Sequence, residues 1–190
     1  MELRTLCFEK GGPQNTDATL AIAAARAKEL GIGQVVVASS HGETARKAQA
    51  VFEPLGATVI AVTIGHGWED QGWCMSRETK QALEAEGIAV VTGIHALGDG
   101  VASAFTEQHG GRAPDEIVRD TLYRFCQGMK VAVECVLMAA EAGLLAMDQE
   151  VIAIAGSGSG ADTAIVCWPS HPRRFHQLEI REILAKPRIP

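Results

Sequence analysis

The run Val35-Val36-Val37-Ala38-Ser39-Ser40-His41-Gly42-Glu43-Thr44-Ala45 decides how the rest of the chain is read. A β-branched stretch ends in two hydroxyl residues and a glycine, and helix-forming residues follow at once. The pattern predicts a strand over 34–39 and a helix over 42–53 that stops before Pro54. The strand has no polar alternation, so both of its faces must be covered, as in a parallel α/β sheet. The same step recurs downstream. Residues 58–63 (T-V-I-A-V-T) read as a strand, 65–76 as an irregular loop, 77–86 as a helix and 88–92 as another strand. Upstream, a strand over 3–8 leads through Gly11-Gly12-Pro13 into a helix over 16–30. Asn15 or Thr16 can cap that helix, and Gly31 stands where a C-terminal glycine is expected.

From about 97 to 145 the pattern is helical, with no strand candidate. Pro114-Asp115-Glu116 has the proline and acids of a helix start. Gly128 is expected to break this region, and the helix after it, 129–142, is apolar almost all round and should be buried. Strand character returns at 150–155, then comes Gly156-Ser157-Gly158-Ser159-Gly160, then a strand over 162–168 and a β-rich segment over 178–184. There is no linker and no repeat, so residues 1–190 are expected to form a single domain.

The 190 residues allow one full core and are too few for a (β/α)8 barrel, which needs about 250. A net charge of −6 with one tyrosine and 5% aromatic residues argues against nucleic acid as a partner. Five cysteines, odd in number and without C-x-x-C spacing, fit a reducing cytoplasm. The apolar stretch 131–147 is interrupted by Glu134 and Glu141, so no membrane association is expected. These features place the protein in the cytoplasm, with a homo-oligomer open.

Several segments carry chemistry. At 39–44 the unpaired N–H groups of a helix N-terminus meet Gly42 and the hydroxyls of Ser39, Ser40 and Thr44, an arrangement suited to phosphate. The bland alternative is that Ser40 and Thr44 only cap the helix. Gly156-x-Gly158-x-x-Ala161 imitates a dinucleotide fingerprint, but that fingerprint needs a helix next, and residues 162–168 read as strand. The loop is then a strand-to-strand connection free to wrap an anion. His41, His66 and His95 each follow a strand, at the carboxyl edge where α/β sheets bind ligands. None has a ligand partner nearby in sequence, so no metal is expected. His109, His171 and His176 read as surface or capping residues. Lys130 and Glu134, spaced i,i+4 on an apolar helix, are either a mutual ion pair or a ligand-facing acid with its partner.

Taken together, 34–168 resembles the C-terminal α/β domain of pyruvate kinase, with a helical insertion after Ile94. The phrases N-T-x-x-T-L (15–20), V-A-S-S-x-G-x-T-A (37–45), K-V-x-V-E (130–134) and G-A-D-T-A (160–164) are similar to a stand-alone family of such domains in archaea and bacteria. The resemblance implies a three-layer α/β/α fold. Its strand order is 3-2-1-4-5 counted from the strand at 34, with strand 5 antiparallel, plus an extra N-terminal strand. The sheet positions of 3–8 and 178–184 stay open. The resemblance also implies a phosphorylated small molecule as partner, flavin mononucleotide being the cofactor associated with the stand-alone family. No pyruvate kinase activity is expected, because the barrel that carries it is missing. Ser39, Ser40, His41, Gly42 and Thr44 would hold the phosphate, with Ser157, Gly158, Ser159 and Asp162 closing over it. Thr63, Gly65, His66 and the 65–74 loop, with Trp68 and Trp73, would cover the ring. The alternative is an enzyme acting on a small phosphorylated metabolite. His66 or His95 would then be the general base and Glu134 a further candidate.

Overall fold

The computed structural model describes residues 2–189. Seven strands form one sheet: β1 (Leu6–Lys10), β2 (Gln34–Ala38), β3 (Thr58–Thr63), β4 (Ala89–Thr92), β5 (Val151–Ala155), β6 (Thr163–Trp168) and β7 (Glu179–Ile189). Their order is β1-β7-β6-β5-β2-β3-β4. The portion β4-β3-β2-β5-β6 is the expected 3-2-1-4-5 arrangement. β6 runs antiparallel to both of its neighbours, while the pairs β2–β3, β2–β5, β3–β4 and β1–β7 are parallel. The two open positions are now fixed. β7 lies beside β6, and β1 closes the far edge.

Side chains alternate between two cores. Val35, Val37, Ile152 and Ile154 face one side, where they meet α1 (Thr16–Leu30), α2 (Glu43–Phe52) and Leu83 of α3 (Arg77–Ala85). Val36, Ala153 and Ala155 face the other, against α6 (Gln127–Glu141). The insertion adds α4 (Val101–His109) and α5 (Pro114–Leu122) on the α6 side. α6 is apolar all round because it is buried along nearly its whole length.

Local details depart from the sequence reading. β1 begins later than 3–8, and β7 runs on through Pro187. A proline is tolerated there because the β6 pairing ends at Ala164↔Ala185, leaving Pro187 with β1 alone as neighbour. Gly128 does not break a helix. It sits in the first turn of α6, where any Cβ would collide with the Thr163 side chain; the interruption lies just before, between α5 and Cys126. Neither Asn15 nor Thr16 caps α1. The Asn15 amide donates back to Lys10 O at 2.8 Å, and Thr16 Oγ1 accepts from Ala161 N at 2.9 Å. Gly31 does end α1 in the left-handed conformation, at φ 69°. Within 65–76, His66–Gln71 winds into 3-10 turns.

Candidate functional site

β2 and β5 are neighbours at the point where strand order reverses, so their following loops open side by side at the carboxyl edge. A cleft of about 710 Å³ lies there. One end is formed by Ser39, Ser40, Glu43 and Thr44 facing the 156–160 loop. Gly42 turns the chain into α2 at φ 92°, a conformation that disfavours side-chain-bearing residues. Ser39 Oγ accepts from Ala45 N at 3.2 Å, so Ser39 takes the capping role that the sequence offered to Ser40 and Thr44. The amides of Glu43 and Thr44 make no hydrogen bond among the described residues. Thr63 Oγ1 donates to Ser40 O at 3.2 Å and fixes that loop against the end of β3.

The other end is aromatic. Trp68 and Trp73 stack with ring centroids 5.4 Å apart, and Trp73 is half exposed. Trp68 Nε1 donates to Asp99 Oδ2 at 2.7 Å, and His95 Nδ1 lies 2.7 Å from the same oxygen. The floor holds the buried pair Lys130 and Glu134. Lys130 Nζ donates to Glu134 Oε2 at 2.6 Å, while Glu134 Oε1 accepts from Leu97 N at 2.9 Å. Glu134 is thus the lysine's partner, as the ion-pair reading expected, and both side chains line the cleft. Cys135 lies beside it, and burial pushes its thiol far above the ordinary range, so it offers no thiolate.

The remaining sequence candidates divide. His41, Thr63, His95, Gly158 and Ser159 line the cleft. Gly65 and His66 border a separate hollow of about 260 Å³ that shares only Trp68 and Asp99 with the cleft. The His66 side chain is 72% exposed and 3.8 Å from Glu69, so nothing orients it. Gly42 packs beneath the loop, toward Thr79 and Leu83. Asp162 is fully buried behind the 156–160 loop. Its Oδ2 accepts from Gly12 N at 2.9 Å and Ser157 N at 3.0 Å, and its Oδ1 accepts from Thr163 Oγ1 at 2.7 Å. It holds the loop in place instead of reaching a ligand, and Ser157 points its hydroxyl into the same buried contact with Gly11. Asp99, Arg119 and Tyr123 line the cleft without having been singled out. Arg119 lies on α5 and Gln127 opens α6, with Tyr123 in the break between them, so no helical spacing groups them. Asp99 stands in an aperiodic loop and gave no signal.

A family model for the pyruvate kinase alpha/beta domain matches residues 17–167. The chain belongs to that family. The matched span runs from α1 to β6, so it takes in the 39–44 and 156–160 loops and all of α6. Among solved structures, this pyruvate kinase alpha/beta domain is similar to a pyruvate kinase from Cryptosporidium parvum, with 15% identity and a TM-score of 0.43. The match covers 82% of this chain and 23% of the enzyme, so the domain spans under a quarter of that protein's length. No helix among the described residues is long and apolar enough to cross a membrane.

Proposed function

We propose that this domain binds a phosphorylated small molecule carrying a planar ring, with flavin mononucleotide as the ligand, and that it works in the cytoplasm without pyruvate kinase activity. The observation that carries the reading is the polarity of the one cleft. Two free amides, the Ser40 and Thr44 hydroxyls and the glycine loop stand at one end, and the stacked Trp68–Trp73 pair stands at the other. A helix N-terminus with unpaired N–H groups favours a phosphate monoester. An exposed indole face favours a flat conjugated ring. The volume lies within the range of small-molecule and cofactor sites. These residues fit the group: Ser39, Ser40, Thr44 and Ser159 hold the phosphate, and Trp68 and Trp73 receive the ring. A bound flavin would supply hydride and one-electron chemistry. Five free cysteines accord with a reducing compartment.

The test is direct. Protein purified from cells and supplied with excess flavin mononucleotide should gain visible flavin absorbance after desalting and melt at a higher temperature. Colourless protein with an unshifted melting temperature refutes the flavin reading.

A further inference from the structure

His95 is the one cleft histidine with an oriented ring. Its Nδ1 lies 2.7 Å from Asp99 Oδ2, which sets the ring against the carboxylate with Nε2 on its opposite side. The same oxygen accepts from Trp68, which anchors the carboxylate to the neighbouring loop. Nε2 makes no hydrogen bond among the described residues, and the side chain is only 20% exposed. The short segment carrying His95 and Asp99 is tied to the cleft floor through Leu97 N and Glu134. Glu134 in turn takes one proton of the Lys130 ammonium. Lys130 is 7% exposed and its other two protons have no partner among the described residues. A histidine set against a carboxylate, a buried cation with spare donors and the proposed phosphate seat thus share one cleft. Burial raises the neighbouring Cys135 thiol far above its ordinary range, which disfavours its thiolate.

We propose that the cleft is catalytic: His95, positioned by Asp99, takes a proton from the carbon beside the carbonyl of a small phosphorylated aldehyde or ketone, and Lys130 faces the oxygen that turns negative. The C–H electron pair becomes the carbon–carbon double bond of an enolate, and the carbonyl π pair moves to oxygen. The imidazolium then returns the proton to carbon. Return to the same carbon exchanges the hydrogen with solvent. Return to the neighbouring carbon, with a proton passed between the two oxygens, gives the isomeric carbonyl compound. No oxidant or second reactant takes part. This inference rests on the phosphate end of the preceding reading and is independent of its flavin end.

The experiment follows proton NMR signals of dihydroxyacetone phosphate and ribose 5-phosphate in D2O with the full chain, and measures binding of each probe by calorimetry. The wild type should speed loss of the proton next to the carbonyl of at least one probe over buffer. His95→Gln should lower that rate at least 100-fold while the probe still binds. Asp99→Asn should lower kcat for exchange at least tenfold with little change in KM, since the ring loses the carboxylate that positions it. His109→Ala, on the outer end of α4, should leave it unchanged. Probes that bind without exchange, or exchange that survives His95→Gln, overturn the catalytic proposal and leave the phosphate seat standing. Failure of both probes to bind overturns the catalytic proposal; failure of flavin mononucleotide to bind as well overturns the phosphate seat.

Discussion

Asp162 gives the sharpest quantitative test of how the cleft is held open. It is fully buried, and three donors converge on its carboxylate: Gly12 N, Ser157 N and the Thr163 hydroxyl. In Asp162→Ala the two amides lose their acceptor. Each orphaned buried donor costs about 1–3 kcal/mol. The Thr163 hydroxyl can turn to Cys126 Sγ, already 3.4 Å away, so it adds little. The expected loss is about 2–6 kcal/mol, a large share of the 5–15 kcal/mol typical of a domain. Asp162→Asn keeps one acceptor oxygen in nearly the same shape and should lose roughly half as much. Urea unfolding followed by circular dichroism reads both, with stability from midpoint and slope. Because Asp162 ties Gly12 to the 156–160 loop, the alanine variant should also lose ligand affinity although its own side chain does not line the cleft. An alanine variant within 1 kcal/mol of wild type, with unchanged affinity, would refute this account of the loop.

Three further outcomes follow from the same geometry. Glu134→Ala strands the Lys130 charge and the Leu97 amide, so it should destabilise by about 3–5 kcal/mol, while Lys130→Met with Glu134→Leu should recover most of that loss in chemical unfolding. A thiol reagent should modify Cys7 and Cys74 in the native protein but reach Cys126, Cys135 and Cys167 only after unfolding; burial pushes the Cys167 thiol to about 12. The Ala113 amide, with help from the Thr106 hydroxyl and Arg119, holds the Glu116 carboxyl below its ordinary range. A depressed carboxylate contributes stability above its unfolded value, near pH 4.3, and loses it as pH falls through the folded value. Glu116→Gln should therefore flatten the loss of stability with acid in that window, as read by denaturant titrations between about pH 5 and 3.

The fold was legible where hydrophobic period and turn chemistry agreed. The uninterrupted apolar strands at 34, 58 and 151 are buried almost throughout, and the order of the shared part of the sheet is the one the family resemblance implied. The β1–β7 end of the sheet was not legible, because β1 is largely exposed and its pattern names no partner. Gly128 read as a breaker because sequence shows a missing side chain without showing Thr163 pressed against it. At the site, the strand-to-helix step carrying Ser39, Ser40 and Thr44 was visible, since local chain geometry dictates it. Asp162 was misplaced because a buried acid within a glycine-rich loop looks the same whether its donors are amides or a ligand. Asp99 was missed for a related reason: its meaning comes from Trp68 on another loop, a contact of sequence separation 31. His66 and His95 stood level as candidate bases in the sequence; the structure leaves the first in solvent and sets the second beside a carboxylate.

The phosphate seat is the claim on which both functional readings depend. It is tested most directly by calorimetric titration of the full chain with flavin mononucleotide and, separately, with riboflavin, which carries the same ring without the phosphate. The account predicts saturable one-to-one binding of the mononucleotide, at least tenfold tighter than riboflavin, with the difference removed when Ser40 and Thr44 are both changed to alanine. Equal affinity for the two compounds, or no binding of either at millimolar concentration, would contradict it.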